Sequence, residues 1–252
     1  MILTSKNNPL IKETVLLKDK KGRKTYGLFL VEGVKMAAEL RKSGFECDRI
    51  FIAESYCGDE RFAAGAEDKV VRVSDDVMRY LSDEKTPQGV LCRVKIPSFP
   101  LCPPSGACLI LDGVSDPGNV GAIVRTANAA GYKEIYLTKD CADAYSPKSV
   151  RASMSGVFFT NLYFGERAEI LSVMGDTALL IADMNGENVF SYSAPDKFAL
   201  VIGNEANGVS EEMRAAAKIA VKIPMRETQE SLNASVSAGI LMYLLKKRTF
   251  LE

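Results

Sequence analysis

Histidine is absent from all 252 residues. That removes Ser-His-Asp and Cys-His nucleophilic schemes and every imidazole general base. Any catalysis must then use carboxylates, Arg, Lys, Tyr, amides or the backbone. Six cysteines occur, Cys47, Cys57, Cys92, Cys102, Cys108 and Cys141, but no two form a Cys-x-x-Cys pair. Without histidine this argues against a structural zinc site, and no metal is expected. The cysteines read as reduced, buried thiols. No apolar run approaches the ~20 residues of a membrane span. Met1-Ile2-Leu3-Thr4-Ser5-Lys6 turns polar too early for a secretory signal. The expectation is a cytoplasmic protein with no membrane partner. Net charge is also missing, since 32 basic and 32 acidic residues cancel. A polyanion site must therefore come from uneven placement of charge.

One such place is the first 26 residues, where Lys6, Lys12, Lys18, Lys20, Lys21, Arg23 and Lys24 face only Glu13 and Asp19. Two readings stay open here, a solvated mobile terminus and an RNA-contacting arm. Tyr26 is the one aromatic close by, so RNA contact there means phosphates more than bases. Apolar residues at 47% and charged residues at 25% suit a soluble enzyme with one large or two modest domains.

The sharpest break in composition is Pro97-Ser98-Phe99-Pro100-Leu101-Cys102-Pro103-Pro104-Ser105-Gly106, which continues neither a helix nor a central strand. It divides the chain into residues 1–96, a linker at 97–106, and residues 107–252. The first part reads as a small α/β unit, with strands at 28–31, 50–53, 70–73 and 89–94 and helices at 33–43 and 76–81. In the last part strands near 108–112, 134–138, 178–182, 198–202 and 219–223 alternate with helices. That alternation predicts an α/β fold with a mainly parallel sheet covered on both faces.

Three segments of the last part place small or polar loops at strand ends, where α/β proteins bind ligands. In the first, the strand 109–112 runs into a loop. Asp116 then suits an N-cap, Pro117 the first helical position and Gly131 the stop. Gly113 and Gly118 have the opening spacing of a P-loop, but Asn119-Val120 stands where Lys and Ser/Thr are needed, and no dinucleotide fingerprint is present either. The second is Ile202-Gly203-Asn204-Glu205-Ala206-Asn207-Gly208, followed by Ser210 as a helix cap. The third is Ile223-Pro224-Met225, a polar loop, and a helix opening near Ser231. Its apolar positions 232, 236, 240, 243 and 244 keep helical spacing, opposite a small-residue row at 234, 235, 238 and 239. Singly, each segment also reads as ordinary structure: a turn, an exposed loop acid, a core helix. Asn119 has such a reading too, as a side chain closing the first helical turn.

Taken together and in this order, the segments resemble the three signature motifs of the SpoU (TrmH-type) ribose 2'-O-methyltransferases of the SPOUT superfamily. Asp116-Pro117-Gly118-Asn119-Val120-Gly121 with Arg125-Thr126-Ala127 resembles the first motif, and Gly203–Gly208 the second. Ile223-Pro224-Met225 with Ser231-Leu232-Asn233-Ala234-Ser235-Val236 resembles the third. Ser146–Ser153 is also similar to the family. So are Thr4–Lys12 and Phe29-Leu30-Val31-Glu32-Gly33, which resemble the substrate-binding domain of its rRNA-modifying branch.

The resemblance implies a C-terminal SPOUT domain whose chain is threaded into a deep trefoil knot, which the strand pattern alone does not reveal. It implies S-adenosylmethionine held near Gly203, Ile223, Leu232, Met225, Ile202 and Thr138, and a homodimer using the helix 231–245. It implies Arg125 as the central catalytic residue, with Asn119, Glu205, Ser231 and Asn233 around it. Glu205 is assigned to fixing Arg125 or a loop. Lys6, Lys12, Arg23, Lys24 and Arg151 are the RNA-contact candidates. Arginine stays protonated at any working pH, so Arg125 is read as holding a phosphate or a developing oxyanion. The implied activity is S-adenosylmethionine-dependent 2'-O-methylation of RNA, with ribosomal RNA preferred over transfer RNA. An inactive RNA-binding or ribosome-assembly factor would have lost one of these five polar residues. A base-methylating relative would lack the Asn-Arg pair and the Ser-Leu-Asn run.

Overall fold

The computed structural model describes residues 2–246. Its chain falls into two compact units. One comprises the residues up to Ser98 together with Asp143–Phe158, and the other comprises Phe99–Ala142 together with the residues after Phe158.

The first unit runs β1 (Ile2–Leu3), α1 (Pro9–Leu16), α2 (Lys20–Tyr26), β2 (Leu28–Glu32), α3 (Val34–Lys42), β3 (Cys47–Ala53), β4 (Val70–Val73), α4 (Asp75–Leu81) and β5 (Val90–Lys95). The strands form one sheet in the order β1-β4-β3-β5-β2. β1, β4 and β3 are parallel, while β5 runs antiparallel to both β3 and β2. The N-terminal segment is not a mobile arm. Asn8 caps α1 through its side chain, Pro9 takes the first turn, and Ile11, Thr14 and Leu17 are fully buried. Asn8-Pro9 is the same opening signal as Asp116-Pro117, set among lysines that dominate the local composition.

In the second unit β6 (Cys108–Asp112), α5 (Pro117–Ala129) and β7 (Glu134–Thr138) come first. α6 (Pro147–Ser153) and α7 (Gly156–Phe159) follow in the intervening segment. The unit then resumes with β8 (Asn161–Gly165), α8 (Arg167–Met174), β9 (Ala178–Asn188), β10 (Phe198–Gly203), α9 (Glu211–Ala216), β11 (Ile219–Lys222) and α10 (Ala234–Leu245). The sheet order is β11-β9-β10-β6-β7-β8, and every pairing is parallel. Its central strands carry continuous apolar runs, as a sheet covered on both faces requires.

β8 is a strand the sequence pattern does not announce. It lies at the sheet edge with Asn161 and Phe164 exposed, and its apolar run, Leu162-Tyr163-Phe164, is only three residues long. The Pro-rich segment is packed rather than free. Leu101 and Cys102 rest on the core of this unit, and the Tyr136 hydroxyl donates to the Cys102 carbonyl at 2.8 Å.

α10 begins three residues later than the spacing suggests. Asn233 is its N-cap, its Oδ1 accepting from Ser235 N at 2.9 Å and Val236 N at 3.3 Å. The apolar row is partly the outer face. Val236 is 50% and Tyr243 43% exposed, whereas Ala238, Leu241, Met242 and Leu245 are buried. The small residues face α5: a Cβ on Gly239 would lie 3.5 Å from Thr126 Cγ2. Among the described residues no helix is long and apolar enough to cross a membrane.

Candidate active site

The three sequence segments converge at the carboxyl ends of β6 and β10 and the start of α10. Asp116 caps α5 by accepting from Asn119 N at 3.0 Å, so the Asn119 side chain is not needed for capping. It bridges the other two segments instead. Its Nδ2 donates to Glu205 Oε1 at 2.9 Å, and its Oδ1 accepts from Asn233 Nδ2 at 3.0 Å.

Glu205 is correspondingly more than an exposed loop acid. Its Oε2 accepts from Ser115 N at 3.0 Å and Ser115 Oγ at 2.8 Å, and its Oε1 also accepts from Asp116 N at 3.2 Å. Of the two tasks assigned to it, it fixes the loop 115–119 and is not paired with Arg125. The loop carrying Glu205 is tight. Asn204 and Gly208 exchange backbone hydrogen bonds at 2.9 Å, and a Cβ on Gly203 would sit 2.2 Å from the Gly208 carbonyl carbon. Asn204 Nδ2 donates to the Gly113 carbonyl at 2.8 Å, tying the loop to the end of β6.

Burial pushes the Glu205 carboxyl up, but hydrogen bonds from Asn119 and Ser115 outweigh it and hold the pKa at about 2. The folded value lies below the ordinary ~4.3 of an unfolded glutamate. Glu205 therefore stabilises the fold fully above that ordinary value, and this contribution is lost as pH falls through about 2. The Glu205 carboxyl carbon, followed by ¹³C NMR, is expected to titrate near pH 2, and to move upward in Asn119→Ala, which removes the leading favourable hydrogen bond. An ordinary midpoint in the unaltered protein would mean that the network does not form in solution.

Beside this chain of amides and carboxylate opens a cleft of about 1280 Å³. Five of the six residues assigned to the cofactor line it: Ile202, Gly203, Ile223, Met225 and Leu232. Glu205, Ser231 and Asn233 line it too. Thr138 does not. It is 2% exposed, and its hydroxyl is occupied by Gly113 N and the Asp140 carboxylate. Thr138 shapes the loop after β6 from behind.

Arg125 stands apart from the hydrogen-bonded chain. It is six residues beyond Asn119 on α5, about 9 Å along the axis and about a third of a turn around it. Its side chain is exposed, it does not line the cleft, and among the described residues no hydrogen bond or ion pair holds it.

The RNA-contact candidates divide. Lys6, Lys12 and Lys24 are exposed, with Lys6 Nζ 5.5 Å from the Tyr80 ring centre. Arg23 is not available for RNA. It is 3% exposed, donates to Asp143 Oδ2 at 2.8 and 2.6 Å, and donates to the Leu17 and Lys18 carbonyls. A basic count along the sequence cannot show that an arginine is consumed in this way. Arg151 is half-exposed and already paired with Asp83 and Glu84. Asp112 and Arg167 were not singled out in the sequence. The buried Asp112 carboxylate accepts from Arg167 Nε and Ser210 N, both at 2.7 Å, so it anchors the end of the Glu205 loop. An acid closing an apolar strand was the available signal.

Comparison with known proteins identifies the family. The model of the SpoU rRNA Methylase family matches residues 106–243, and that of the MRM3-like substrate binding domain matches residues 8–92. The chain is 30% identical over 254 residues to the 23S rRNA (guanosine(2553)-2'-O)-methyltransferase RlmP of Bacillus subtilis, covering 97% of this chain and 98% of the other. It is 27% identical to the 23S rRNA (uridine(2479)-2'-O)-methyltransferase of Streptomyces viridochromogenes, over 96% of this chain and 90% of that protein. Among solved structures it is similar to the AdoMet-bound rRNA methyltransferase from Sinorhizobium meliloti, with a TM-score of 0.90, 25% identity and 98% of both chains covered. The chain belongs to the SpoU rRNA Methylase family.

Proposed function

We infer that this protein transfers a methyl group from S-adenosylmethionine to a ribose 2'-hydroxyl of ribosomal RNA. The observation that carries the reading is the hydrogen-bonded chain Asn233–Asn119–Glu205, which joins all three family segments at the mouth of the cleft. The cleft suits the cofactor. Ala182, Ile202, Ile223 and Leu232 offer apolar walls to an adenine and a thioether, and Gln229, Ser231 and backbone groups offer polar contacts.

When bound, the cofactor supplies a methyl group already activated on a sulfonium. The protein must align the ribose oxygen and stabilise it as its proton leaves. Glu205 is a poor base at neutral pH, because its pKa is near 2 and its oxygens already accept four hydrogen bonds. It acts as the anchor that holds Asn119. Asn119 and Asn233 orient the ribose, each having both donor and acceptor atoms. Ser231 lines the same mouth. Arg125 supplies positive charge to the developing oxyanion or a neighbouring phosphate.

Arg125 reaches that position from a second copy of the chain. Val236, Ile240, Tyr243 and Leu244 make an apolar outer row on α10, which packs on α5 beside Arg125. A homodimer burying this row brings one subunit's Arg125 toward the other's cleft. The domain of residues 1–96, with 143–158 packed on it, serves to bind RNA and the remainder of 107–252 serves catalysis, its chain knotted as the family resemblance implies, and the protein works in the cytoplasm.

The test is methyl transfer from labelled S-adenosylmethionine to ribosomal and transfer RNA, with the products digested to nucleosides. A 2'-O-methyl nucleoside from ribosomal RNA is expected; base methylation would overturn the reading. Mixing inactive Arg125→Ala and Asn119→Ala proteins is expected to restore about a quarter of the activity per dimer site, because half the dimers are mixed and each holds one intact site. No restoration after verified subunit exchange would place Arg125 in its own subunit's site.

A further inference from the structure

The first unit contains a cavity of about 320 Å³ that takes no part in the chemistry described above. Its floor is apolar and closely packed: Leu30 is 6%, Met36 7% and Val150 3% exposed, with Met154 beside them. Its mouth is rich in hydrogen-bond acceptors, namely the Glu32, Asp83 and Glu84 carboxylates and the Gln88 side-chain carbonyl. These groups are fixed in advance. Glu32 accepts from Ser82 Oγ and from Asp83 N, which shapes the loop 82–84. Arg151 then pairs with Asp83 at 3.3 Å and Glu84 at 2.8 Å. Lys35, exposed on the rim, adds a cation.

The backbone around the cavity is held in uncommon conformations. Met154 has φ 50° and ψ −135°, and among the described residues it is the non-glycine residue with positive φ. Gly33, also lining the cavity, has φ 100°. Strain of this kind persists where surrounding contacts over-determine it, and it gathers at ligand sites. Here Met154, at the end of α6, lines the cavity together with Leu30 of β2, against which α6 packs.

We propose that this cavity receives one unstacked nucleobase of the substrate RNA, and that the base is guanine. The inference rests on the functional reading above. An apolar floor with two thioethers suits a flat ring face, since polarisable sulfur packs well on aromatics. Sequence-specific RNA recognition takes splayed bases and reads their edges. Guanine presents N1–H and N2–H₂ donors on one edge, which match a mouth made of carboxylate and amide oxygens. Glu32 Oε1 and Oε2 each accept one hydrogen bond and keep a second lone pair, whereas Asp83 Oδ2 already accepts two from Arg151, which leaves its Oδ1 for the base. The Lys35 and Arg151 cations at the rim suit the flanking phosphates.

The experiment uses full-length protein and ribosomal RNA transcribed with 6-thioguanosine in place of part of the guanosine. After near-ultraviolet irradiation, crosslinked peptides are mapped by mass spectrometry. Crosslinks are expected in the peptides containing Met36 and Met154. Two variants, Val150→Phe to fill the floor and the exposed-site change Gln88→Ala, are then assayed for methyl transfer. Each is expected to raise KM for RNA about tenfold, the size of one lost base-edge pair, with kcat and cofactor affinity unchanged. The crosslink needs no variant, so a misfolded Val150→Phe does not decide the matter. Normal methyl transfer with crosslinks confined to other peptides would overturn the pocket alone. Absence of methyl transfer by the unaltered protein would overturn the functional reading, and the pocket with it.

Discussion

Arg125→Ala is expected to lower kcat for methyl transfer by about 10²–10³, the usual cost of removing one donor aimed at a developing oxyanion. Cofactor affinity and melting temperature should stay where they are. The guanidinium is exposed, does not line the cleft, and makes no described hydrogen bond or ion pair, so its loss opens no cavity and orphans no partner. An exposed cation with no structural task is the kind of residue whose cost falls on function. Arg125→Lys should recover little, because a point charge does not reproduce the planar fork of donors. Initial rates at saturating RNA, isothermal titration with S-adenosylmethionine and a thermal melt together check the claim. A melt lowered by several degrees with a modest rate effect would show that Arg125 holds the fold instead.

The contrast between Arg125 and Arg23 shows what a sequence can and cannot disclose. Both are arginines near basic or small-residue stretches, and composition treats them alike. Arg23 lies inside the first unit, its donors spent on Asp143 and two carbonyls, because Leu17 and Lys18 bring backbone oxygens within its reach. That outcome depends on a partner 120 residues away, which no local pattern carries. Local signals succeeded where the physics is local. Asp116-Pro117 opens α5, Ser210 caps α9, and the apolar runs at 108–112 and 198–203 are buried central strands.

Patterns misled where tertiary context reverses the local meaning. The row at 236, 240, 243 and 244 has the spacing of a core face, yet Val236 and Tyr243 are exposed and Ile240 and Leu244 only partly buried, while Gly239 lets α10 approach α5. Thr138 lies at a strand end like a ligand-binding residue, but the turn at Gly113 uses its hydroxyl. The polar members of the site were legible as a set because they sit in three short segments. Their mutual hydrogen bonds were not, since register between β6, β10 and α10 decides which amide meets which carboxylate.

Asp112→Ala is expected to destabilise the second unit by about 3 kcal/mol, near the low end for breaking a buried ion pair by removing one partner. The side chain is 0% exposed and accepts two hydrogen bonds, from Arg167 Nε and Ser210 N. Arg167 keeps Asp140 at 2.6 Å and is 25% exposed, which limits the loss. In a chain of this size that corresponds to a fall of roughly 6–12 °C in the melting transition. Function should suffer beyond stability, because Ser210 closes the loop that carries Glu205, and a freed loop releases Asn119 and Asn233 from their shared geometry. Asp112→Asn tests the charge and the acceptor at constant volume. It preserves the volume but turns one acceptor into a donor facing a donor, so it should cost nearly as much as alanine. Arg167→Met should also destabilise, by leaving Asp112 buried with one partner. The double variant should lose clearly less than the sum of the two single losses, as two halves of one interaction do. Strict additivity in chemical denaturation would show that Asp112 stabilises the unit through Ser210 alone, leaving Arg167 to Asp140.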